Sequence, residues 1–523
     1  MNFPLKRFFS LLLLLGFALT LAGCGNSGTN SFTWYVDAIP VNLDPQVAAT
    51  SEDVTACTNL HAGLMRRGED GTPVPALCTR YRIAPDGLQY TFTLPEGLVY
   101  LARRGVVTEY EITAEDFVFA FRRIYAAETG SPYTDDFSAI AGSAAVLNGT
   151  AAPETLGVVA LDRYTVQFTL SQPDEAFLRK LTLPGAAPCD EEFFESTGGT
   201  YGLTMASTVA SGSFYLQNWT ANGLFLRRAA NGDAIDSLRL VQNTGYTTLT
   251  AAELVEGEHC SAALDSGYTA TGLPTLQYSD TTWCLVFNQN NRVLANASFR
   301  AALAGAAYSL DLAGQTGSQY SAAAGLIPAG VQVDGADYRS TAGQLLPTLS
   351  DAKALYTAAL AEGASPTGGK LTLLVPEGSE IAALAQTLNA AWQKQFSLFM
   401  SIETVPADQL QSRLSSSSYT IALAPLQLTR DDPLALLSRF EAGGFTGYAN
   451  AEYTRLCRSA AAASGSERLA LCARAEALLL NDSVVAPLFG QNRQLLVAPG
   501  ITGLLYDPYG PVLDLHWTER PAS

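Results

Sequence analysis

Three histidines (His61, His259 and His516) and eight cysteines are the groups in this chain best suited to acid–base, metal or nucleophilic chemistry. Their spacing suits none of these. A metal needs three or four ligands close together, yet there is no CxxC pair, and His259-Cys260 stands without partners at metal spacing. An activated nucleophile needs a base within reach, and neither a G-x-S-x-G nor an H-E-x-x-H run is present. Glu191, Glu192 and Glu195 cluster as a paired-carboxylate glycosidase would require. In a chain with 49 acidic and 31 basic residues, however, such clusters are ordinarily solvated surface. A surface hydrolase is thus the rival reading, and the chain is expected to have no catalytic residue, no metal and no cofactor. The formal charge of -18 repels phosphate backbones and argues against nucleic acid as a partner.

One cysteine stands apart by position. Lys6 and Arg7 precede an apolar run, Phe8 to Leu21, that is shorter than the roughly 18 to 20 residues a membrane-spanning helix needs. Leu21-Ala22-Gly23-Cys24 follows, and it resembles the lipobox of bacterial lipoproteins. The resemblance implies removal of residues 1–23, thioether lipidation of Cys24 and at least two acyl chains, which suffice for stable anchoring. The alternative is an ordinary secretory signal with an incidental cysteine. Residues 24–31 are small and polar and read as a flexible leash. The protein is expected outside the cytoplasmic membrane and attached to it, in the periplasm if the host has an outer membrane. Seven cysteines remain, an odd number. Cys457 and Cys472 lie on helical patterns either side of Ser464-Gly465-Ser466, so an antiparallel helix pair suggests a disulfide between them.

The elements that would position these groups are short strands mixed with amphipathic helices, with no fixed-period repeat. Tyr90–Leu94, Tyr164–Leu170 and Leu371–Val375 alternate as strands do. In residues 112–125, Thr113 and Asp116 form a capping-box pattern, and Ile112 and Phe117 form a hydrophobic staple. Phe117, Val118, Phe121, Ile124 and Tyr125 then make one buried stripe. Arg122 and Arg123 read as a solvated helix end rather than a ligand clamp. Further helices are expected over Phe299–Tyr308, Asp351–Glu362, Glu380–Gln395 and Glu467–Leu480. Linkers are too short for a string of separate beads, which favours an α/β protein with discontinuous domains.

From Asn42-Leu-Asp-Pro-Gln46 onward the chain resembles the family-5 bacterial solute-binding proteins, the oligopeptide- and dipeptide-binding lipoproteins of ABC importers. Ile112 to Arg123 followed by Ser131-Pro-Tyr133 is similar to the oligopeptide branch. Leu156 to Asp162, Ser211 to Tyr215, Phe287-Asn288, Arg300 to Leu303, Gly325 to Pro328, Asp432-Pro433 and Ala486 to Leu488 continue the match in order. The resemblance implies a two-lobed periplasmic-binding-protein-like fold (type II, cluster C). Lobe I would comprise 32–52, 165–281 and 490–523, with a subdomain inserted at 53–164, and lobe II would comprise 282–489. Crossings near 282 and 489 would form the hinge. A monomer is expected, with a small-molecule or short-peptide ligand and an ABC permease as partners.

In peptide binders of this family the ligand backbone adds as a strand. By similarity the matching segments here are Ala49-Thr50-Ser51 and Leu426-Gln427-Leu428, and Tyr133 matches a ligand-facing tyrosine. For Tyr133 a packing role stands equally open. The chain departs from the family at Thr429, where peptide binders carry an aspartate for the ligand's amino terminus; a hydroxyl cannot balance an ammonium. Asp431 reaches toward the same space, with Arg430 beside it to neutralise it. Leu423 and Leu426 replace Arg and Trp, so an apolar, weakly charged wall is expected. The function implied is capture of a solute, foremost a peptide, for import; a peptide-signal sensor on the same fold is the alternative.

Overall fold

The computed structural model describes residues 30–520 apart from 230–233, 269, 316–317, 334, 349–350 and 367–369. The leader, Cys24 and the tether up to residue 29 therefore lie outside the described residues. Strand β1 (Ser31–Tyr35) buries Phe32 and Trp34 on one face, the period-two pattern of a half-covered strand. Helix α1 (Ser51–Leu60) follows, and then β2 (Arg80–Ile83), β3 (Gln89–Thr93), α2 (Ala114–Tyr125), β4 (Val158–Asp162) and β5 (Thr165–Thr169). These four strands form an antiparallel sheet in the order β2-β3-β5-β4. Helix α2 covers it. The amide of Thr113 donates to Asp116 Oδ2 at 3.3 Å, and Ile112 and Phe117 are buried together. Phe121 meets Phe168 of β5 edge-on at 4.9 Å. Each fully buried phenylalanine here contributes about 1.5–3 kcal/mol.

Strands β6 (Phe214–Thr220), β7 (Gly223–Arg228) and β8 (Ser237–Val241) join β1 in a second four-stranded sheet ordered β1-β8-β7-β6. The third sheet holds seven strands. Its main path runs β9 (Ala262–Asp265), β14 (Val485–Val497), β10 (Thr275–Phe287), β13 (Ile421–Gln427), β11 (Thr372–Pro376) and β12 (Ser401–Val405), with Tyr320–Ala322 added on β14. Helices α3 (Ala297–Tyr308), α4 (Ser379–Phe396), α5 (Ala451–Ala462) and α6 (Gly465–Asn481) surround it, and α3, α4 and α6 lie within two residues of the expected spans.

Strands β10 and β14 are 13 residues each and link two halves of the molecule. Leu495 to Val497 pack into a core with β1, α1 and β6–β8. At the other end, Cys284 and Val286 face one core of the 282–489 region, while Trp283, Leu285 and Phe287 face a second. Pairing between the two strands slips at Ser279/Thr281 and again at Trp283/Cys284. Such irregularities bend a ladder locally.

Two expected boundaries are corrected. The break at 164/165 would cut the β4–β5 hairpin, whose strands pair from Val158↔Phe168 to Asp162↔Thr165, so β5 belongs with the inserted unit. The break at 52/53 would sever α1, which packs on the other side of it: Ala56 and Leu60 lie in the β1 core, and Asn59 bonds the Leu513 carbonyl and the Leu515 amide. Arg123 is corrected as well. It is buried, not solvated, and bonds Asp44 and Gln46 while its guanidinium lies 4.2 Å over the Phe194 ring.

Candidate functional site

The candidate cleft lies where β13 leaves the shared sheet. The Leu428 amide donates to the Asp280 carbonyl at 2.9 Å, as does the Asn288 amide to the Thr420 carbonyl at 3.0 Å. Antiparallel ladders alternate, so 281/427 and 283/425 are the non-bonded pairs, and the backbone groups of Gln427 and Pro425 point away from β10. On that side β11 pairs with β13 only at Ile421 and Ala422. Among the described strands none continues along Leu423–Gln427, so this stretch presents an open edge. Pro425 is tolerated because an edge position needs no amide donor on that side. Asp280 anchors the base of the edge, accepting from Gln427 Nε2 at 3.1 Å and lying 3.0 Å from Arg493 Nε on β14.

Of Leu426-Gln427-Leu428, only Gln427 is exposed; both leucines are in the core. Leu423 and Leu426 are fully buried in two different cores on opposite faces of β13, so neither forms the expected apolar wall. The rim itself is charged. Thr429 is exposed, and Arg430 reaches Asp136 at 3.0 Å. Asp431 does not pair with Arg430; its Oδ1 accepts the Gln332 amide at 2.7 Å. Burial pushes the Asp431 carboxyl up to about 6, with Asp507 adding to the shift and Arg179 and Arg67 opposing it. Burial likewise raises Asp136, against the pull of Arg430 and Lys180.

Ala49-Thr50-Ser51 is not a strand. Thr50 caps α1, its Oγ1 accepting the Asp53 amide at 3.1 Å, and Ser51 opens the helix. Ala49 and Thr50 are nevertheless exposed. Tyr133 lies beneath this segment, buried, and its hydroxyl donates to the Ala48 carbonyl at 3.2 Å. Its ring packs so closely on Gly185 that a Cβ there would stand 2.5 Å from Tyr133 Cδ2. The packing role is the one this geometry fits. Ala48–Thr50, Tyr133–Asp136 and Gln427–Arg430 thus converge through two direct bonds, one of them joining segments 294 positions apart. Sequence reading missed Asp136, Arg67 and Arg179 as rim groups. The run Arg430-Asp431-Asp432 was a visible signal of charge at this place, but its partners were not readable.

The three histidines and the cysteines stand elsewhere. His61 is pushed down to about 4 by burial, and His516 to about 3 by burial and the Arg66 and Arg228 guanidiniums. His259 stacks on Tyr246 at 3.7 Å. A cavity of about 40 Å³ borders Arg66, Asp514 and His516 and is separate from the β13 edge. The seven described cysteines are free and buried. The disulfide expected between Cys457 and Cys472 is therefore corrected: α5 and α6 do pack together, but both thiols sit unoxidised in the core they share. Burial raises Cys457 to about 11 and Cys472 to about 12, which disfavours the reactive thiolate.

The profile of bacterial extracellular solute-binding proteins, family 5 Middle, matches residues 72–447. The dipeptide-binding protein DppE of Bacillus subtilis (strain 168) is 23% identical over 547 residues, covering 98% of this chain and 99% of that one. The oligopeptide-binding protein OppA of the same organism is 23% identical over 555 residues, covering 96% and 98%. Among solved structures, the pheromone receptor PrgZ aligns with a TM-score of 0.69 at 24% identity over 94% of this chain and 100% of that chain. Listeria monocytogenes OppA bound to peptide aligns with a TM-score of 0.69 at 21% identity over 95% and 100%. The structural likeness carries the fold, and the profile spans more than half of the chain. By these matches the protein belongs to family 5 of the bacterial extracellular solute-binding proteins, a non-enzymatic family.

Proposed function

We propose that this chain is the peptide-capturing component of an ABC importer, tethered outside the membrane through lipid on Cys24. The observation that supports it best is the open edge of β13, whose Gln427 and Pro425 backbone groups point into the cleft opposite the exposed Ala49–Thr50 segment. An extended peptide added there gains main-chain hydrogen bonds whatever its side chains, which suits a nutrient binder of broad range. The dipeptide- and oligopeptide-binding relatives carry that activity in their names. Strands β10 and β14 serve as the hinge: they are shared by both halves, and their pairing slips at the crossing. Ligand that touches both halves binds the closed arrangement better than the open one and so shifts the balance toward it. The tether keeps captured solute near the permease, raising its local concentration by linkage.

Mass spectrometry of the ligand released from purified, gently unfolded protein, with binding of added peptide measured alongside, tests the capture reading. A ladder of peptides is the expected result; a sugar, or no ligand together with no binding of added peptide, overturns it. Palmitate labelling tests the anchor separately. Label is expected on the full chain and not on Cys24→Ser, which is expected to leave the membrane fraction.

A further inference from the structure

The cavity of about 40 Å³ lies where the end of α1, residues 61–67, the start of β6 and residues 514–516 meet. By the measure in which one water needs about 10–15 Å³, it has room for about three. In a chain of formal charge -18, its surroundings are cationic. Arg66 reaches the His516 ring, and among the described residues it forms no ion pair; Asp514 is the acid that acts on it. Arg228 stands close enough to repel Arg66, and it donates to the carbonyls of Ile235, Leu515 and His516. Arg67 also lines the space but is shared with Asp431 and Asp507. Burial and the two neighbouring guanidiniums keep His516 neutral. Arg66 and Arg228 against Asp514 therefore leave a local surplus of one positive charge.

Two acceptors in the same walls lack donors. His61 lines the cavity and is only 7% exposed. Its Nε2 donates to the Leu43 carbonyl at 3.3 Å; a carbonyl can only accept, so the proton sits on Nε2 and Nδ1 is a bare acceptor. That Nδ1 has no hydrogen-bond partner among the described residues. Asp514 accepts the His516 amide at 2.8 Å on Oδ1, which leaves Oδ2 to the cavity. A buried acceptor costs free energy until something donates to it.

We infer that this cavity is a binding site for dihydrogen phosphate, distinct from the peptide cleft and independent of it. The ion carries one negative charge, which matches the surplus. It also offers two O–H donors and two unprotonated oxygens. The donors answer Asp514 Oδ2 and His61 Nδ1. The unprotonated oxygens answer the Arg66 guanidinium and the hydroxyl of Ser213, a lining residue whose Oγ lies 3.1 Å from His516 Nδ1. Sulfate has the same tetrahedral shape but no proton to give, so it sets oxygen lone pairs against both acceptors. A site built around a ligand's O–H rejects the analogue that lacks it.

The test uses the mature full chain, labelled at histidine and read by NMR at mildly acidic pH, where the singly charged ion predominates. The three histidines supply both probe and control. Inorganic phosphate is expected to move the His61 and His516 signals to saturation and to leave unmoved His259, which stacks on Tyr246 elsewhere. Sulfate at equal ionic strength is expected to bind at least about tenfold more weakly. Asp514→Asn keeps an acceptor for the His516 amide but turns an N–H toward the ion. In that variant phosphate is expected to lose about tenfold in affinity, and its advantage over sulfate to fall to within about twofold. Thermal melting checks the variant's fold; if it does not fold, the phosphate–sulfate contrast in the natural protein decides alone. His61 and His516 signals that stay put mean that the space holds water only and overturn the inference. Equal binding of sulfate, or an undiminished preference in folded Asp514→Asn, overturns it as well.

Discussion

Two ion pairs join separate parts of this molecule, and they differ in almost every physical respect. Arg123 ties α2 of the inserted unit to Asp44 in the segment after β1; it is buried, also bonded to Gln46 Oε1 at 2.6 Å, and covered by the Phe194 ring. Gln46 in turn donates to the carbonyls of Gly185 and Ala187, so every partner is fixed by another. Arg430 ties the β13 rim to Asp136 with a single bond, and its side chain is 52% exposed. The first contact cannot open without stranding charge in a low-dielectric interior. The second can exchange with water at little cost. Rigid attachment of the inserted unit and reversible contact across the cleft follow from that difference in burial.

Breaking each pair exposes the contrast. Arg123→Ala leaves Asp44 buried without its cation and is expected to lower unfolding free energy by about 3–5 kcal/mol in a denaturant titration. A loss below about 1 kcal/mol would place this pair in the same class as the cleft pair. Gly185→Ala comes next. Its Cβ enters the Tyr133 ring, so a loss of about 1–3 kcal/mol is expected, together with weaker ligand binding as the Ala48–Thr50 segment shifts. Unchanged melting and binding would show that the Tyr133 shelf does not support the site.

Asp431 sharpens the cleft side of the comparison. Its carboxyl is raised to about 6, so the folded chain holds that proton more tightly than the unfolded chain does. The associated stability is fully present below the ordinary carboxylate range and is lost as pH rises through about 6. Asp431→Asn keeps an acceptor for the Gln332 amide and is expected to melt higher than the natural protein at neutral pH, by about 1 kcal/mol after allowance for solvent. That advantage should vanish below about pH 4. An advantage independent of pH would remove the carboxylate as its cause. The smallest effect is expected for Arg430→Ala, within about 1 kcal/mol in stability, and it should be smaller still at high salt. A loss as large as that of Arg123→Ala would erase the distinction between the two pairs.

Much of the architecture was legible from local pattern. The capping box and staple at Ile112–Phe117, the aromatic stripe of α2, and the helices and strands of the 299–480 region rest on neighbours a few residues apart, and they appear with small shifts at their ends. The boundary errors had a common cause. The hairpin β4–β5 and the docking of α1 on Leu513 and Leu515 are pairings between segments, and periodicity within one segment carries no record of them. Within the site, the Gln427 region was found from resemblance, but Leu423 and Leu426 were assigned to the wall because the pattern within one strand does not say that both of its faces are covered. Core contacts with α5 and α6 decide that Leu426 and Leu428 point inward.

Residue order alone dictates the apolar run Phe8 to Leu21 ahead of Cys24, the acidic balance, the absence of nucleophile and zinc-binding motifs, and those helices and strands whose pattern is local. These depend on composition and on contacts within a turn or two of chain. Tertiary structure alone decides that Arg123 is sealed while Arg430 is exposed, that Asp431 turns to Gln332, and that Cys457 and Cys472 share a core as free thiols. Burial and charge pairing are set by what distant segments bring alongside, and that is fixed only when the chain has folded.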